Sequence, residues 1–155
     1  MAASAQQTAP QTNGASPPPK PIQLSFPLPH ALGTCIYLHL TVLTTSIMLF
    51  LTSASSDSGA MPAALGSFVY AMPDRYNPSQ PLSTPLYTLP SSIDFTTRLA
   101  KVLARKTGRP VHVGSSISFA GAGGGGSVEE EMAGFREIVA VVVDEVRKAR
   151  NTSDG

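Results

Sequence analysis

The run Gly121-Ala122-Gly123-Gly124-Gly125-Gly126 satisfies the G-x-G-x-x-G spacing with which a strand–loop–helix unit holds the pyrophosphate of a dinucleotide. Such a loop works because glycine amides approach phosphate closely and the helix that follows offers its positive end. Here a glycine tract meets the pattern by composition, no strand is expected after the helix, and no acidic residue closes a second strand. A flexible loop is therefore the expectation. Ser127 follows glycine where a phosphate-binding P-loop needs lysine. His30, His39, His112 and Cys35 lack the grouped spacing of zinc ligands. His39 is expected as a packed, hydrogen-bonded residue on a strand, His112 on the strand face opposite Val111 and Val113, and Cys35 as a small buried hydrophobe. A thiol nucleophile needs a paired base, which nothing here supplies, and no serine stands in a G-x-S-x-G elbow. Ser16-Pro17 and Thr84-Pro85 could accept phosphate, but such dipeptides are common. These residues point to no catalysis, no metal and no cofactor. What is left is charge: Arg98, Lys101, Arg105, Lys106 and Arg109 crowd into one short stretch. They form either a solvated helix face of little energetic weight or a patch complementary to a partner, setting association rate more than affinity.

The element that carries these cations has well-marked ends. Phe95, Leu99, Val102 and Leu103 recur at helical spacing and form one apolar stripe. Ser91 or Ser92 is placed to cap the start, with Asp94 in capping-box position after Ser91. Arg105 and Lys106 fall in the last turn, where cations oppose the negative helix end. Gly108 supplies the left-handed residue that stops the helix, and Pro110 prevents continuation. Val111 to Phe119 then reads as a strand.

A second stretch, Pro21 to Ser56, contains no Asp, Glu, Lys or Arg, and Cys35 to Leu51 is strongly apolar. A membrane-spanning helix needs roughly 20 such residues, but His39, Thr41, Thr44, Thr45 and Ser46 interrupt the run. Alternation fits better: Ile36, Leu38, Leu40 and Val42 on one face, Tyr37, His39, Thr41 and Leu43 on the other. A turn at Thr44-Thr45-Ser46 would return the chain as Ile47 to Thr52. Ile22 to Phe26 reads as a short strand flanked by prolines, and Gly66 to Met72 as a longer one. Pro81 to Leu89 is extended but restricted by proline to an edge or a loop. Val128 to Arg150 reads as a second helix with the stripe Val128, Met132, Phe135, Val139, Val142 and Val146. Glutamates 129–131 open it, and Arg147, Lys148 and Arg150 close it.

Composition bounds the rest. The chain has 155 residues, a formal net charge of +1, 14% charged and 42% hydrophobic residues. That allows one domain with a modest core and gives no global field for nucleic acid or an anionic membrane. A single cysteine fits a reducing compartment, cytoplasmic and also compatible with the nucleus. Residues 1–20 lack the apolar stretch of a secretion signal and are too poor in large apolar side chains to fold. The expected organisation is a Pro/Ser/Ala-rich tail over 1–20, one domain over 21–150 with a flexible loop at 120–127, and a short tail over 151–155.

These elements predict an α+β domain, a mainly antiparallel sheet of five or six strands with two main helices. Its central hairpin is apolar on both faces. Two helices with one stripe each cover one face well, so Tyr37, Leu43, Met48 and Phe50 are left for something else to cover. A second protein is the expected cover.

The order of elements and several local words resemble the proteasome assembly chaperone 4 family, in a fungal-type member. The words are the paired strands around Ile36 to Thr52, Ala71-Met72-Pro73-Asp74-Arg75-Tyr76, Pro81-Leu82-Ser83-Thr84, Leu99 to Val113 with its Leu-Ala-Arg-Lys-Thr core, and Glu129-Glu130-Glu131-Met132-Ala133-Gly134-Phe135. The resemblance runs over roughly residues 22–150 and is most specific at Ala104 to Thr107. The Gly121–Gly126 tract and the Pro-rich tail depart from the family pattern. The resemblance implies a chaperone without chemistry or cofactor. It would pair with the similar proteasome assembly chaperone 3 and hold an alpha-type subunit, chiefly alpha type-5, while the alpha ring of the 20S core particle forms. Tyr37, Met48, Phe50, Arg98, Lys101, Arg105, Lys106 and Arg109 are the candidate partner contacts. Two other classes stay open: a different heterodimeric adaptor using the same sheet face, and a nucleotide-binding protein built on Gly121–Gly126.

Overall fold

The computed structural model describes residues 14, 18–28, 33–55, 64–117, 119 and 128–153. Among these lie six strands and two helices, in the order β1 (Ile22–Pro27), β2 (Thr34–Val42), β3 (Ile47–Ser55), β4 (Ser67–Met72), β5 (Leu82–Tyr87), α1 (Ile93–Thr107), β6 (Val111–Ser115) and α2 (Val128–Ser153). His30 and the glycine loop at 120–127 fall outside the described residues, as does nearly all of the 1–20 tail.

The apolar run around residue 40 is the expected hairpin. β2 and β3 pair antiparallel with Leu38 opposite Leu51 and Leu40 opposite Leu49. The turn closes where the Leu43 N–H donates to Ser46 O at 2.9 Å. No helix among the described residues is long and apolar enough to cross a membrane.

The sheet runs β1-β2-β3-β6-β4-β5. β6, the last strand in sequence, is inserted near the middle, parallel to β3 and antiparallel to β4. Its Val111 and Val113 are fully buried, as the interior position of a strand with neighbours on both sides requires. The strand ends at Ser115, short of the expected Phe119. There the Ile117 N–H donates to Ser115 Oγ at 3.3 Å, a local side-chain bond that competes with the ladder. β5 lies at the edge, where Pro85 costs no ladder bond to a further strand.

Both helices lie on one side of the sheet. α1 packs on β4, β5 and β6, and α2 packs on α1 and β2. Ile36, Leu38, Leu40, Ile47, Leu49, Val69, Ala71, Val111 and Val113 meet Leu99, Leu103, Ile138 and Val142 in one buried core. Phe95 joins the two helices, tilted against Phe119 at 5.3 Å and edge-on to Phe135 at 5.8 Å.

The start of α1 departs from expectation. Ser92 occupies the N-cap position without a side-chain bond to its own helix. Its hydroxyl accepts the Ser67 N–H at 3.1 Å and lies 2.9 Å from Ser67 Oγ. Because the Ser67 hydroxyl donates to Leu89 O at 3.1 Å, the Ser92 hydroxyl is the donor between the two serines. The cap residue thus ties α1 to the first residue of β4, and the capping box through Asp94 does not form. The helix ends as expected, with Gly108 left-handed at φ 66° and its N–H donating to Ala104 O at 3.0 Å.

α2 also differs at its start. Val128 is 79% and Met132 39% exposed, whereas Ile138, Val139, Val142 and Val146 are buried. The inward face includes Ile138; in the first turns Val128 and Met132 point outward while Glu130 is buried, and at Gly134 a Cβ would come within 3.0 Å of Leu28 Cδ2. The helix runs on to Ser153, beyond the expected Arg150.

Candidate functional site

Strand alternation sends every second side chain of the sheet away from the helices. Tyr37, His39 and Thr41 of β2, Met48, Phe50 and Thr52 of β3, His112 and Gly114 of β6, and Phe68, Tyr70 and Met72 of β4 share that second face. Register then aligns them into rows. One row crosses all six strands: Gln23, His39, Phe50, Gly114, Phe68, Tyr87. A neighbouring row reads Thr41, Met48, His112, Tyr70, Thr84.

Gly114 makes the first row possible. It stands between Phe50 and Phe68, and their rings stack at 6.0 Å and 13° across the gap it leaves. A Cβ at Gly114 would lie 2.7 Å from Phe50 Cδ1 and 3.0 Å from Leu65 Cδ1. Beside this stack the His112 ring is 4.7 Å from Tyr70 and 6.2 Å from Phe68. Toward β1, a cleft of about 610 Å³ opens between Gln23, Tyr37, His39, Phe50 and Leu65. Met48, Phe50, Phe68 and Tyr70 are half-buried, while Tyr37 is 47% and Tyr87 57% exposed. No helix among the described residues crosses this surface. Tyr37, Met48 and Phe50 are brought together as expected. Phe68, Tyr70, Tyr87 and Gly114 were missed, because only the position of β6 between β3 and β4 places them beside that trio.

The five cations do not form one patch. Arg98 pairs with Glu131 and lies 5.8 Å from the centre of the Phe135 ring, clamping α1 to α2. Arg109 Nη1 donates to Leu43 O at 3.3 Å, bracing the hairpin turn. Lys106 faces α2 beside Val139 and Asp144. Lys101 and Arg105 alone share a groove, with Ser79 to Ser83 on its far side.

The residues weighed for chemistry stay apart. His39 Nδ1 is 3.4 Å from Gln23 Nε2, and Cys35 is half-buried beside no base. Among the described residues no group of three or more His, Cys, Asp or Glu is placed to hold a metal.

No curated protein matches the chain. Of seven solved chains that match, one belongs to a complex described as a novel chaperone complex for yeast 20S proteasome assembly. It superposes with a TM-score of 0.56 at 18% identity, covering 83% of this chain and 95% of that one, which shows a shared fold. The model of the family described as proteasome assembly chaperone 4 matches residues 35–117, from β2 through β6 and more than half of the sequence. The hairpin, the inserted β6 and the helix between them are thus the family's own elements, and the chain belongs to the proteasome assembly chaperone 4 family.

Proposed function

We propose that this chain assists assembly of the 20S core particle by pairing, through the open face of its sheet, with proteasome assembly chaperone 3. The pair then holds an alpha-type subunit, alpha type-5, while the alpha ring forms. The observation that carries this reading is the row of aromatic side chains on a face that no helix covers among the described residues. Two sheets packed face to face sit roughly 10 Å apart with interdigitating side chains, and the cleft beside Tyr37 and Phe50 accepts such a side chain. Contiguous apolar surface of this kind marks an interface in a monomer-sized protein. The family name and the yeast complex both concern proteasome assembly and support the same reading. The role needs no reaction and no cofactor, and its place is the cytoplasm and nucleus, where a lone thiol stays reduced.

Co-expression with proteasome assembly chaperone 3, followed by size-exclusion chromatography and capture of alpha type-5, tests the proposal. A one-to-one complex that retains the alpha subunit is expected. Tyr37→Arg, at an exposed position, should break pairing and leave the far-UV circular dichroism unchanged. A chain that stays monomeric beside the candidate partner would end this reading.

A further inference from the structure

Lys101 and Arg105 stand one turn apart on the exposed side of α1, and neither makes a hydrogen bond or ion pair among the described residues. Like charges at this spacing repel by a few tenths of a kcal/mol. Of the other described cations, Lys148 bonds both Asp144 and Glu145 at 2.8 Å and Arg98 pairs with Glu131, while Arg75 and Arg136 are as uncompensated as this pair. The uncompensated pair also lines a groove of about 600 Å³, whose opposite wall is Ser79, Gln80, Pro81, Leu82 and Ser83. Leu82 is 55% exposed at its lip and Val102 lies half-buried in it. Two adjacent cations beside two accessible apolar side chains describe a receptor for carboxylates on a chain that also carries a hydrophobic residue.

We propose that this groove seats an acidic segment of the alpha-type subunit, two carboxylates meeting Lys101 and Arg105 and an apolar side chain resting on Leu82 and Val102. The inference rests on the assembly reading and adds to it a second surface, across the sheet edge from the aromatic face. Protein carboxylates fit better than a nucleic acid. A duplex carries a charge about every 1.7 Å along its axis and is gripped by a run of cations, not by one pair with an apolar wall.

The test uses the heterodimer with proteasome assembly chaperone 3 and surface plasmon resonance against alpha type-5 at low and high salt. Lys101→Glu with Arg105→Glu should slow association roughly tenfold and flatten its salt dependence. Pairing with chaperone 3 should be unaltered, and Lys106→Glu should behave as the unsubstituted chain. Unchanged alpha-subunit binding by the double variant overturns the groove, as does loss of chaperone 3 pairing, which would assign these residues to the other interface. Binding of a labelled single-stranded RNA that the double variant abolishes also overturns it, in favour of nucleic acid. If charge reversal impairs folding, Lys101→Gln with Arg105→Gln gives the same reading. Failure of the unsubstituted heterodimer to form or to bind the alpha subunit refutes the assembly reading itself, before any variant is made.

Discussion

Gly66 and Gly108 both have positive φ, at 69° and 66°, yet their surroundings differ. A Cβ at Gly108 meets nothing within 4 Å, whereas at Gly66 it would lie 2.1 Å from Ser115 O and 2.5 Å from Ser116 Cα. The first substitution meets only the left-handed penalty of an L-residue, about 1 kcal/mol. The second must also push apart the backbone joining β4 to β6, a fixed neighbour that cannot rotate away. Urea denaturation should therefore show Gly108→Ala costing about 1 kcal/mol and Gly66→Ala more than about 2 kcal/mol. Equal costs would mean that the Gly66 contact relaxes. Gly114 belongs to a third kind, with ordinary backbone geometry and a side-chain neighbourhood that admits no Cβ beside Phe50.

At the scale of elements, the exposed end of α2 carries a pH dependence of definite sign. A hydrogen bond from Lys148, and then its charge, hold the Asp144 carboxyl below the usual carboxylate range, while Lys148 is raised by Asp144 and Glu145. Asp144 has the lower pKa in the folded helix, so its contribution is present above the unfolded value and lost as pH falls through the folded one. Lys148 is the opposite case, contributing below its unfolded pKa and losing effect as pH rises through the folded one. Acidification should therefore lower the amide protection factors, corrected for the intrinsic exchange rate at each pH, in the last turns of α2 while the core stays protected, and Asp144→Asn should remove that acid step. An Asp144 resonance titrating at or above the ordinary carboxylate range would contradict the pairing. Elements of this kind were largely legible in the sequence. The hairpin followed from alternation through Ile36 to Thr52, and α1 from its stripe and Gly108. Where the reading failed, the deciding partner was distant: Ser92 bonds Ser67 of a strand instead of its own helix, and the start of α2 buries Glu130 while Val128 and Met132 face outward. The aromatic face was half legible. Tyr37, Met48 and Phe50 are local to one hairpin, but their alignment with Phe68, Tyr70 and Tyr87 depends on β6, whose place in the sheet no local pattern encodes.

For the whole molecule, the proposed pairing through the aromatic face would link stability to the partner's concentration. A partner at a hundredfold its Kd stabilises the folded chain by about 2.7 kcal/mol, which raises Tm by roughly 5–10 °C in a domain of this size. A titration of chaperone 3 followed by scanning fluorimetry should show this rise, and Tyr37→Arg should suppress it. A Tm indifferent to the partner would mean that the face is satisfied within the chain. The central place of β6 has its own consequence for how the protein comes into being. β3 and β4 bond to each other only through β6, whose residues 111–115 leave the ribosome after both. Until then the nascent chain holds two separate ribbons, and the rims at Ile47–Leu51 and Ser67–Ala71 stand bare in an order fixed by synthesis. A protein whose family attends the birth of another machine is itself unfinished, and open to mispairing, until its last strand emerges.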